Sequence, residues 1–477
     1  TIKSENGSDN CIIDGGGIGN VITLNADGIT IEGFTVRNSG SYGSDAGIKV
    51  VSNANKITYN SITNNYNGIY LYYSSNNNIY NNNASNNEDG ILLLDSSNNT
   101  IANNNASNND DGIFLFHFSN SNTIANNTVS NNGKGIYLLG PSNNTITNNT
   151  ASNNGAGIFL DYSSNSNAIA NNNVSNNYHG IHLWYSSGNT IANNTVSNNE
   201  DGIYLGDSSS NTIANNTVSN NYYGIYLYYS SSNTIANNTV SNNEDGIYLG
   251  DSSNNNIYNN NASNNEDGIL LLDSSNNTIA NNNASNNDDG INLWYSSSNT
   301  IANNTVSNND DGIYLVYSSN NIIYLNNFIN NTCQVYSHAS TNIWNSTEKI
   351  TYTYNGSQHT NYLGNYWSDY KGSDADEDGI GDTPYSIDSD KDNYPLIERF
   401  EHYFVPTPAK TFDTGRPENP YPSISGEFVG KIKTNTKIIA TKLYTYACEG
   451  TGGHTEHALI WNETWCAYAE WDGYKED

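Results

Sequence analysis

Hydrophobic and polar residues alternate over most of the chain in a pattern that repeats about every 22 residues. Each repeat contains three short apolar alternations, such as residues 202–205, 212–214 and 217–219, separated by corners rich in Ser and Asn. No repeat shows a helical period, so the pattern predicts three short β-strands per repeat. A Gly-Ile dipeptide marks the repeats, with its glycine at Gly47, Gly68, Gly90, Gly112, Gly135, Gly157, Gly180, Gly202, Gly224, Gly246, Gly268, Gly290 and Gly312.

Three strands in so short a repeat predict one coil of a parallel β-helix, in which each coil pairs with the next about 4.8 Å away. The alternation predicts that Ile203, Leu205, Ile213 and Val218 point inward and that like side chains stack from coil to coil. Recurrent asparagines predict ladders of hydrogen bonds along the axis. We therefore expect an all-β solenoid of about 13–14 coils with a thin apolar core, a C-terminal cap and a small C-terminal β module.

Changes in composition predict five parts of the chain. Residues 1–46 are expected to form irregular opening coils, and residues 47–331 the regular β-helix. Asparagine becomes scarce after that point, and residues 332–400 are expected to form the closing cap. Residues 401–422 are rich in proline, which is typical of a linker. Residues 423–477 alternate in hydrophobicity and predict a small β module that is incomplete or paired with another chain.

The 477-residue chain is strongly acidic, with 47 Asp and Glu residues against 16 Lys and Arg residues and a net charge of −31. This balance argues against binding to nucleic acid or to anionic lipid, because both need a basic surface. No apolar run approaches the roughly 18 residues of a membrane span. The 37 Tyr, 10 Phe and 7 Trp residues are too many for a disordered acidic chain.

The Gly-Ile-x-Leu and Asn-x-Thr-Ile repeats resemble a known family. They are similar to the right-handed parallel β-helix of carbohydrate-binding and sugar-hydrolase domains, and within it to the NosD-type copper-binding family and its archaeal cell-surface relatives. Residues 364–370 (GNYWSDY) and 390–396 (DKDNYPL) resemble the segment that closes those helices. The resemblance covers residues 1–400. It implies an exported protein in a surface or periplasmic setting and does not imply an enzyme.

An acidic loop in the predicted cap has the spacing of a calcium site. Alternate carboxylates in the pattern D-x-D-x-D-G-x-x-D can converge on one hard cation, and Gly379 permits a sharp turn. Tyr385 stands where an EF-hand loop has its bidentate Glu, so a second acidic run is needed to complete the shell. The candidate calcium ligands are Asp374, Asp376, Asp378, Ile380 and Asp382, with Asp388, Asp390 and Asp392 from the second run. The alternative is a solvated acidic loop.

A second acidic feature is the carboxylate that directly precedes many of the Gly-Ile dipeptides. In four consecutive repeats these carboxylates belong to Asp245, Asp267, Asp289 and Asp311 and are expected to stack about 4.8 Å apart. Lys134 is the only Lys or Arg between residues 57 and 331, so ion pairing cannot relieve the repulsion. Such repulsion raises pKa values or recruits cations. Solvated corners, a cation ladder and catalytic carboxylates are the three open interpretations.

Aromatic residues recur two positions after the repeat glycine and again a few positions later, where the alternation predicts that they point outward. Rings at sheet spacing would form a flat strip that can stack on sugars or bury against another subunit. The candidate contact face comprises Tyr204, Tyr226, Tyr248, Tyr185, Tyr229, Trp294 and Tyr295. The alternative is that aromatic residues simply suit strand surfaces.

Glycosylation and cysteine pairing are further expectations. The candidate Asn-x-Ser/Thr acceptors are Asn98, Asn126, Asn148, Asn193, Asn215, Asn237, Asn276, Asn303, Asn345 and Asn355, although an Asn-rich repeat also generates such motifs by composition alone. Cys11 and Cys333 are expected at opposite ends of the rod, too far apart to bond. Cys448 and Cys466 are expected to form a disulfide, with free thiols or a metal site as alternatives.

The sequence as a whole predicts an exported cell-surface protein with a structural, assembly or adhesive role, and calcium as its cofactor. The expected partners are copies of itself, joined head to tail or laterally, and surface glycans. One alternative is a polysaccharide lyase or glycoside hydrolase that uses the stacked carboxylates. Another is a NosD-like copper-handling protein, although residues 57–331 contain only His117, His179 and His182 and no Met or Cys. Uniform repeats and the acidic surface favour the non-enzymatic role.

Overall fold

The computed structural model describes residues 1–388, 390–404, 457–461 and 466–470. The chain divides into two compact units, Thr1–Tyr403 and Phe404–Asp477. The first unit is an all-β, right-handed parallel β-helix of about 15 turns, which confirms the predicted fold class. Residues 1–46 already supply strands to all three sheets, so the helix has more turns than the Gly-Ile dipeptides indicate.

Three parallel sheets of 15, 16 and 15 strands form the walls of the helix. The first short sheet contains Ile2–Lys3, Thr30–Glu32, Lys56–Thr58, Asn78–Tyr80, Thr100–Ala102, Thr123–Ala125, Thr145–Thr147, Ala168–Ala170, Thr190–Ala192, Thr212–Ala214, Thr234–Ala236, Asn256–Tyr258, Thr278–Ala280, Thr300–Ala302 and Ile322–Tyr324. The second short sheet contains Ile12–Asp14, Thr35–Arg37, Ser61–Thr63, Asn83–Ser85, Asn105–Ser107, Thr128–Ser130, Thr150–Ser152, Asn173–Ser175, Thr195–Ser197, Thr217–Ser219, Thr239–Ser241, Asn261–Ser263, Asn283–Ser285, Thr305–Ser307, Asn327–Ile329 and Tyr366–Trp367. The long sheet contains Ile22–Leu24, Ala46–Val50, Asn67–Tyr72, Asp89–Leu94, Asp111–Phe116, Lys134–Leu139, Ala156–Asp161, His179–Trp184, Asp201–Gly206, Tyr223–Tyr228, Asp245–Gly250, Asp267–Leu272, Asp289–Trp294, Asp311–Val316 and Cys333–His338.

The core is a column of aliphatic side chains that repeats with the coil. Strands of neighbouring coils pair in exact register, so that Ile203 lies opposite Ile225. Leu205, Ile213 and Val218 have no exposed surface, and neither does Ile203, which confirms their predicted inward orientation. Because each coil contributes only about four such residues, the apolar core is thin, and each coil is stabilised by the two coils that flank it.

Asn-Asn pairs build the corners of the helix. In the pair Asn215-Asn216, the first residue is exposed and adopts the left-handed conformation, with φ 57°, that Asn tolerates well. The second is 1% exposed, and its Oδ1 accepts hydrogen bonds from the backbone N and the Nδ2 of Asn194, at 2.9 and 3.0 Å. Its Nδ2 donates to the carbonyl of Ile191 at 2.9 Å and to Oδ1 of Asn238 in the next coil at 3.0 Å. Every polar group of the side chain is therefore paired.

These contacts extend as three Asn ladders along the rod, as the sequence predicts. One ladder runs through Asn55, Asn77, Asn99, Asn122, Asn144, Asn167, Asn189, Asn211, Asn233, Asn255, Asn277, Asn299, Asn321 and Asn342. A second runs through Asn60, Asn82, Asn104, Asn127, Asn149, Asn172, Asn194, Asn216, Asn238, Asn260, Asn282, Asn304, Asn326 and Asn365. The third runs through Asn65, Asn87, Asn109, Asn132, Asn154, Asn177, Asn199, Asn221, Asn243, Asn265, Asn287, Asn309 and Asn331.

Side-chain oxygens near the C-terminal end of the rod terminate these ladders. Asp390 Oδ2 accepts the backbone N–H of Asn342 at 2.8 Å. Asp392 Oδ2 accepts the backbone N–H of Asn365, also at 2.8 Å. The third ladder ends where Nδ2 of Asn331 donates to Gln334 Oε1 at 2.8 Å. The last Asn of each ladder thus keeps a partner although no further coil follows it.

The contacts of Gly364 and Trp367 with Asp392 explain why the closing segment contains a glycine, a tryptophan and an aspartate at these positions. A Cβ at Gly364 would lie 2.0 Å from Asp392 Oδ1, so only glycine allows this carboxylate to approach. The indole of Trp367 stacks on Phe328 with ring centroids 4.5 Å apart and donates its Nε1–H to Asp392 at 3.1 Å. Burial raises the pKa of Asp392 to about 6, despite these donated hydrogen bonds. Asp392 is therefore a structural residue of the cap.

The other described elements are short hairpins and 3-10 turns. Two antiparallel hairpins join Ile350–Tyr354 to Ser357–Asn361 and Tyr385–Ile387 to Asp390–Asp392. Single 3-10 turns cover Ser8–Asn10 and Phe400–Tyr403. In the second unit, His457–Trp461 pairs antiparallel with Cys466–Glu470. No helix within the described ranges has the length and hydropathy needed to cross a membrane.

The Asn ladders generate a test of stability. Replacing Asn216 with Ala leaves the backbone N–H of buried Asn194 and one of its two Nδ2 hydrogens without an acceptor, which we expect to cost about 3 kcal/mol of unfolding free energy. The matched control is Asn215→Gly, which keeps the positive φ and removes only an exposed side chain. Thermal unfolding followed by circular dichroism should show a much lower Tm for Asn216→Ala. Equal Tm values for the two variants would contradict the ladder as a source of stability.

Candidate functional site

The outer surface of the long sheet collects the unusual side chains of the β-helix. Ile247 and Leu249 of the strand Asp245–Gly250 point into the core, and Asp245, Tyr248 and Gly250 stand at its first, fourth and sixth positions. These three positions form the outer face, which also includes the exposed residue that follows each strand. First and fourth positions are neighbours in space, as the 4.7 Å between the ring centroids of His179 and His182 demonstrates.

Seven rings at the fourth position form one continuous stack. They belong to Phe114, Tyr137, Phe159, His182, Tyr204, Tyr226 and Tyr248, with successive centroids 4.7, 5.2, 4.5, 4.8, 5.0 and 4.7 Å apart. This arrangement corrects the predicted flat strip for Tyr204, Tyr226 and Tyr248. The coil spacing equals the stacking distance of aromatic rings, so each ring covers the face of its neighbour and presents only its edge outward.

Free aromatic surface lies instead at the end of several strands of the long sheet and just beyond them. Tyr185, Tyr229 and Tyr295 are 47%, 53% and 53% exposed. The indole of Trp184 lies over Gly206 of the next coil, where a Cβ would be 2.3 Å from two ring carbons. Trp294 is half-buried and stacks on Tyr314 at 5.9 Å. We call this row of rings, from Tyr72 to Tyr317, the aromatic edge.

A surface pocket of about 470 Å³ adjoins the aromatic edge. Its walls are Phe116, His117, Phe118, Leu139, Gly140 and Tyr162. Sequence reasoning missed this pocket. The available signal was the spacing of 23 residues between Gly112 and Gly135, because the extra residue widens the corner where the exposed ring of Phe118 stands.

The predicted carboxylate ladder is present in the structure as an in-register column. Asp245, Asp267, Asp289 and Asp311 lie opposite one another on consecutive strands. Asn292 bridges two of them, since its Nδ2 donates to Asp267 Oδ1 at 3.0 Å and to Asp289 Oδ2 at 2.9 Å. All four side chains are partly buried. Their cation binding stays a prediction.

Burial is the main reason why the carboxylates of Asp245, Asp267 and Asp289 hold protons strongly. It raises the pKa of Asp245 to about 7, of Asp267 to about 6 and of Asp289 to about 7. The neighbouring carboxylates raise the pKa values of Asp245 and Asp289 further, as a smaller effect. The predicted direction, a raised pKa, is confirmed for these three residues. Its main cause is loss of solvent, and repulsion between carboxylates is secondary.

One coil departs from the pattern and combines several titratable groups. His179 stands where other coils have Asp, and its Nδ1 lies 2.6 Å from Asp201 Oδ2. His182 replaces the usual Tyr of the ring stack, and its Nε2 is buried without a hydrogen-bond partner in the described structure. Burial, with a smaller contribution from His179, lowers the pKa of His182 to about 3, so its imidazole is neutral. The signal in the sequence is His-x-x-His in place of Asp-x-x-Tyr.

A second buried polar atom without a partner lies on the same face. Asp161 is 8% exposed, and its Oδ2 accepts a hydrogen bond from the hydroxyl of Tyr137 at 3.2 Å. Its Oδ1 is paired with no group of the described residues. Burial raises the pKa of Asp161, whereas the hydrogen bond from Tyr137 lowers it. Such orphan atoms are rare in folded proteins and point to a ligand or water.

The acidic loop of the cap brings three predicted ligands together. Ligand oxygens of Asp374, Asp376 and Asp378 lie within 4.8 Å of one another. The charge of Asp378 is the main cause of a raised pKa at Asp376. Asp374 also accepts the backbone N–H of Gly379 at 2.8 Å, which holds the turn. This arrangement suits a hard cation that prefers oxygen ligands.

The remaining predicted calcium ligands lie outside this convergent group. Asp382 Oδ2 accepts hydrogen bonds from Ser373 and Ala375, at 3.0 and 2.9 Å, and Ile380 is buried. Asp388 Oδ2 accepts the backbone N–H of Ser337 at 3.2 Å. Asp390 and Asp392 terminate the Asn ladders, so the second acidic run does not complete the shell as predicted. Their oxygens are used by the cap because the hairpin turns them toward the rod.

The sequon asparagines and two of the cysteines are placed as follows. Of the candidate acceptors, eight are exposed and the other two, Asn303 and Asn345, are half-buried at corners. Occupancy by glycan stays a prediction. Cys11 and Cys333 are free thiols; Cys11 directly precedes the strand Ile12–Asp14, and Cys333 is the first residue of the strand Cys333–His338. The predicted Cys448–Cys466 disulfide lies outside the described residues.

The sequence matches the family described as "Periplasmic copper-binding protein (NosD)" over residues 4–179 and 174–372. The chain belongs to the NosD family. The resemblance of the Gly-Ile repeats is thereby confirmed for most of the β-helix. A periplasmic family indicates that this NosD-family protein is exported. No curated protein matches the sequence.

Solved β-helix structures resemble this NosD-family protein in fold. The Dettilon tailspike protein (gp208) is 14% identical over 56% of this chain and 60% of its own, with a TM-score of 0.39. The A-module of the Azotobacter vinelandii mannuronan C-5 epimerase AlgE4 is 16% identical over 66% of this chain and 90% of its own, with a TM-score of 0.39. The periplasmic alginate epimerase AlgG is 17% identical over 57% and 76%, with a TM-score of 0.35. At these values the likeness concerns the fold alone.

Copper, which the family description implies, does not fit the groups that the described residues bring together. The one convergent group of three potential ligands there is the carboxylate set Asp374, Asp376 and Asp378. Copper prefers imidazole and sulfur ligands, whereas an all-carboxylate set suits calcium. His179 already pairs with Asp201, and the chain contains no Met. We derive no chemistry through copper.

The ladder predicts a pH-dependent stability. The folded-state pKa of Asp245, about 7, exceeds its ordinary value, so the folded protein binds more protons between about pH 4 and pH 7. This carboxylate therefore lowers stability as pH rises through that window. Asp245→Asn should raise the Tm by several degrees at pH 8 and leave it unchanged at pH 4. The exposed Asp251→Asn is the control, and a gain of equal size in both variants would contradict the prediction.

The acidic loop predicts binding of calcium. We expect calcium to raise the Tm by several degrees and an excess of chelator to reverse the shift, because the ion binds only the folded loop. Asp378→Asn removes one of the convergent carboxylates and should abolish the shift. Asp388→Asn is the matched control, because Asp388 lies outside the convergent group. An unchanged melting curve of the original protein with saturating calcium would rule the site out.

Proposed function

We propose that this exported NosD-family protein is a structural or adhesive β-helix that binds carbohydrate along the outer face of its long sheet. The observation that carries the proposal is the aromatic edge beside a row of half-buried carboxylates and unpaired polar atoms. Exposed Tyr and Trp side chains combine a large apolar surface with a polar tip. Sugars present apolar C–H surfaces and hydroxyls, which match the two components of this face.

The spacing of the face suits a long ligand better than a small one. The exposed rings of Tyr185, Tyr229 and Tyr295 recur along the rod at multiples of the coil spacing. A polymer that follows the axis can therefore make the same contact several times, and weak contacts add to a useful affinity. Carboxylates such as Asp245 and Asp289 accept hydrogen bonds from hydroxyl groups on the ligand, either directly or through water.

The charge of the face argues against a second copy of the chain as its occupant. Two copies joined through their outer faces would bring acidic columns together, and Lys134 is the only Lys or Arg between residues 57 and 331. Like charges across an interface are unfavourable. A carbohydrate carries hydroxyl donors and avoids this cost. Self-assembly through other surfaces, head to tail or lateral, stays a prediction from the sequence.

Polysaccharide cleavage is a second candidate function, which one contact favours. The carboxylate of Asp201 lies 2.6 Å from Nδ1 of His179, an arrangement that orients an imidazole for general acid–base catalysis. The pair stands beside the proposed binding surface. The uniform carboxylates of the other coils have no such partner among the described residues, which favours binding as the main role.

Substitutions on the aromatic edge test the proposal. Trp184→Ala and Tyr229→Ala should each weaken binding to a retained polysaccharide about tenfold, because each removes a ring of the aromatic edge. Tyr258→Ala, an exposed ring on the first short sheet, is the matched control and should bind normally. Affinity gel electrophoresis with immobilised polysaccharides gives the retardation of each variant.

Two outcomes of this experiment decide between the functions. If the control loses as much retardation as the edge variants, the outer face is not the binding surface. The same mixtures are assayed for new reducing ends, and an increase that Asp201→Asn abolishes would establish cleavage instead of adhesion.

A further inference from the structure

We infer that the coil with His179 and His182 forms the principal subsite of the outer face, and that this subsite takes an uncharged sugar residue. The inference rests on the proposed function and names its ligand class. It goes beyond the uniform face because this coil alone, within the regular β-helix, has imidazoles at the first and fourth positions of its strand.

The register brings the parts of the subsite together. His182 lies between Phe159 and Tyr204 on the neighbouring strands. Trp184 lies between Asp161 and Gly206 in the same way. The fourth and sixth positions of one strand are adjacent on the outer face, so the imidazole, the carboxylate and the indole border one area of surface.

Two polar atoms in this area lack partners. They are Nε2 of His182 and Oδ1 of Asp161, both buried and both without a hydrogen bond in the described structure. An unpaired buried polar group is costly, and a ligand that pairs it recovers that cost. A hydroxyl group can donate to the carboxylate oxygen, and it can either donate to or accept from a neutral imidazole. A sugar with several hydroxyls on one edge meets both requirements.

The apolar half of the subsite is formed by three rings. Trp184 covers Gly206, and the glycine leaves the room that the indole occupies. Tyr162 and Tyr185 stack with centroids 5.6 Å apart and are 60% and 47% exposed. This exposed surface can receive the C–H face of a sugar ring while the hydroxyls of the sugar turn toward the polar atoms.

The charges around the subsite exclude acidic sugars. Asp161 and Asp201 border it, and Asp207 follows the strand that ends at Gly206. His182 stays neutral because of burial, and His179 is paired with Asp201, so neither imidazole is free to offset a uronate. A uronate carboxylate would therefore face the carboxylates of Asp161 and Asp207 with no free cation to offset its charge. A neutral hexose carries no such penalty.

The substitution His182→Phe tests the subsite directly. Phenylalanine preserves the ring between Phe159 and Tyr204 but removes Nε2, so the fold is kept and the polar contact is lost. We expect about tenfold weaker binding to a neutral mannan or glucan, measured by isothermal titration calorimetry at fixed ionic strength. Asp161→Asn is a second variant. It should also weaken binding about tenfold, because an amide cannot keep both the acceptor that faces the ligand and the acceptor of the hydrogen bond from Tyr137. Tyr258→Phe, on the first short sheet and away from the outer face, is the control and should bind within twofold of the original protein.

The ligand class is tested with polygalacturonate as the acidic probe. The original protein should bind the neutral polymers at least tenfold more tightly than polygalacturonate. Equal or tighter binding of polygalacturonate would overturn the assignment. If His182→Phe and Asp161→Asn both bind neutral polymer normally while Trp184→Ala does not, the subsite is wrong and the proposed function stands. If the original protein binds no polymer of the neutral and acidic panel, both are wrong. Melting curves confirm that each variant is folded.

Discussion

The hydrogen bonding of each coil to the next, in exact register, is the constraint on which the rest of the structure depends. A parallel strand pairs with only two neighbours, and each must present its groups at the same height after one complete turn. The Asn ladders enforce this at the corners, where the backbone has no strand partner. Asn216 pairs with both Asn194 and Asn238, so the side chain substitutes for the missing sheet at the turn. A thin aliphatic core then suffices, because the corners also contribute specific bonds.

The same register determines the chemistry of the surface. Any residue type that recurs at one position of the repeat becomes a column with the coil spacing. At that spacing aromatic rings stack well, and in the column from Phe114 to Tyr248 each ring face is covered by a neighbouring ring. Carboxylates at that spacing lose solvent and hold protons, as Asp245 and Asp289 do. The proposed sugar subsite therefore lies where the repeat is broken, at His182, at Asp161 and at the ring of Trp184.

Sequence reasoning identified the fold because the fold follows from periodicity. The inward orientation of Ile203 and Val218 and the existence of Asn ladders both follow from a short alternation within a fixed repeat. The stack of Tyr204, Tyr226 and Tyr248 could not be predicted in the same way, since alternation gives the side of the sheet but not the rotation of a ring. The roles of Asp390 and Asp392 could not be read from the sequence either, because alternating acidic residues fit both a cation site and the ends of the Asn ladders. Whether Nε2 of His182 has a hydrogen-bond partner depends on three-dimensional packing, and the unusual His-x-x-His pattern was its only signal in the sequence.

The termination of the Asn ladders has a consequence for how such a chain varies. Asp390, Asp392 and Gln334 accept from the last Asn of each ladder, and any coil of the regular rod ends in the same three asparagines. The cap therefore does not distinguish a long rod from a short one. Residues 78–113 and 256–291 are identical in sequence, which is the trace expected of whole coils copied within a gene. Duplication or loss of a coil changes the reach of the molecule in steps of about 4.8 Å while every interface is conserved, so length can evolve independently of the binding surface.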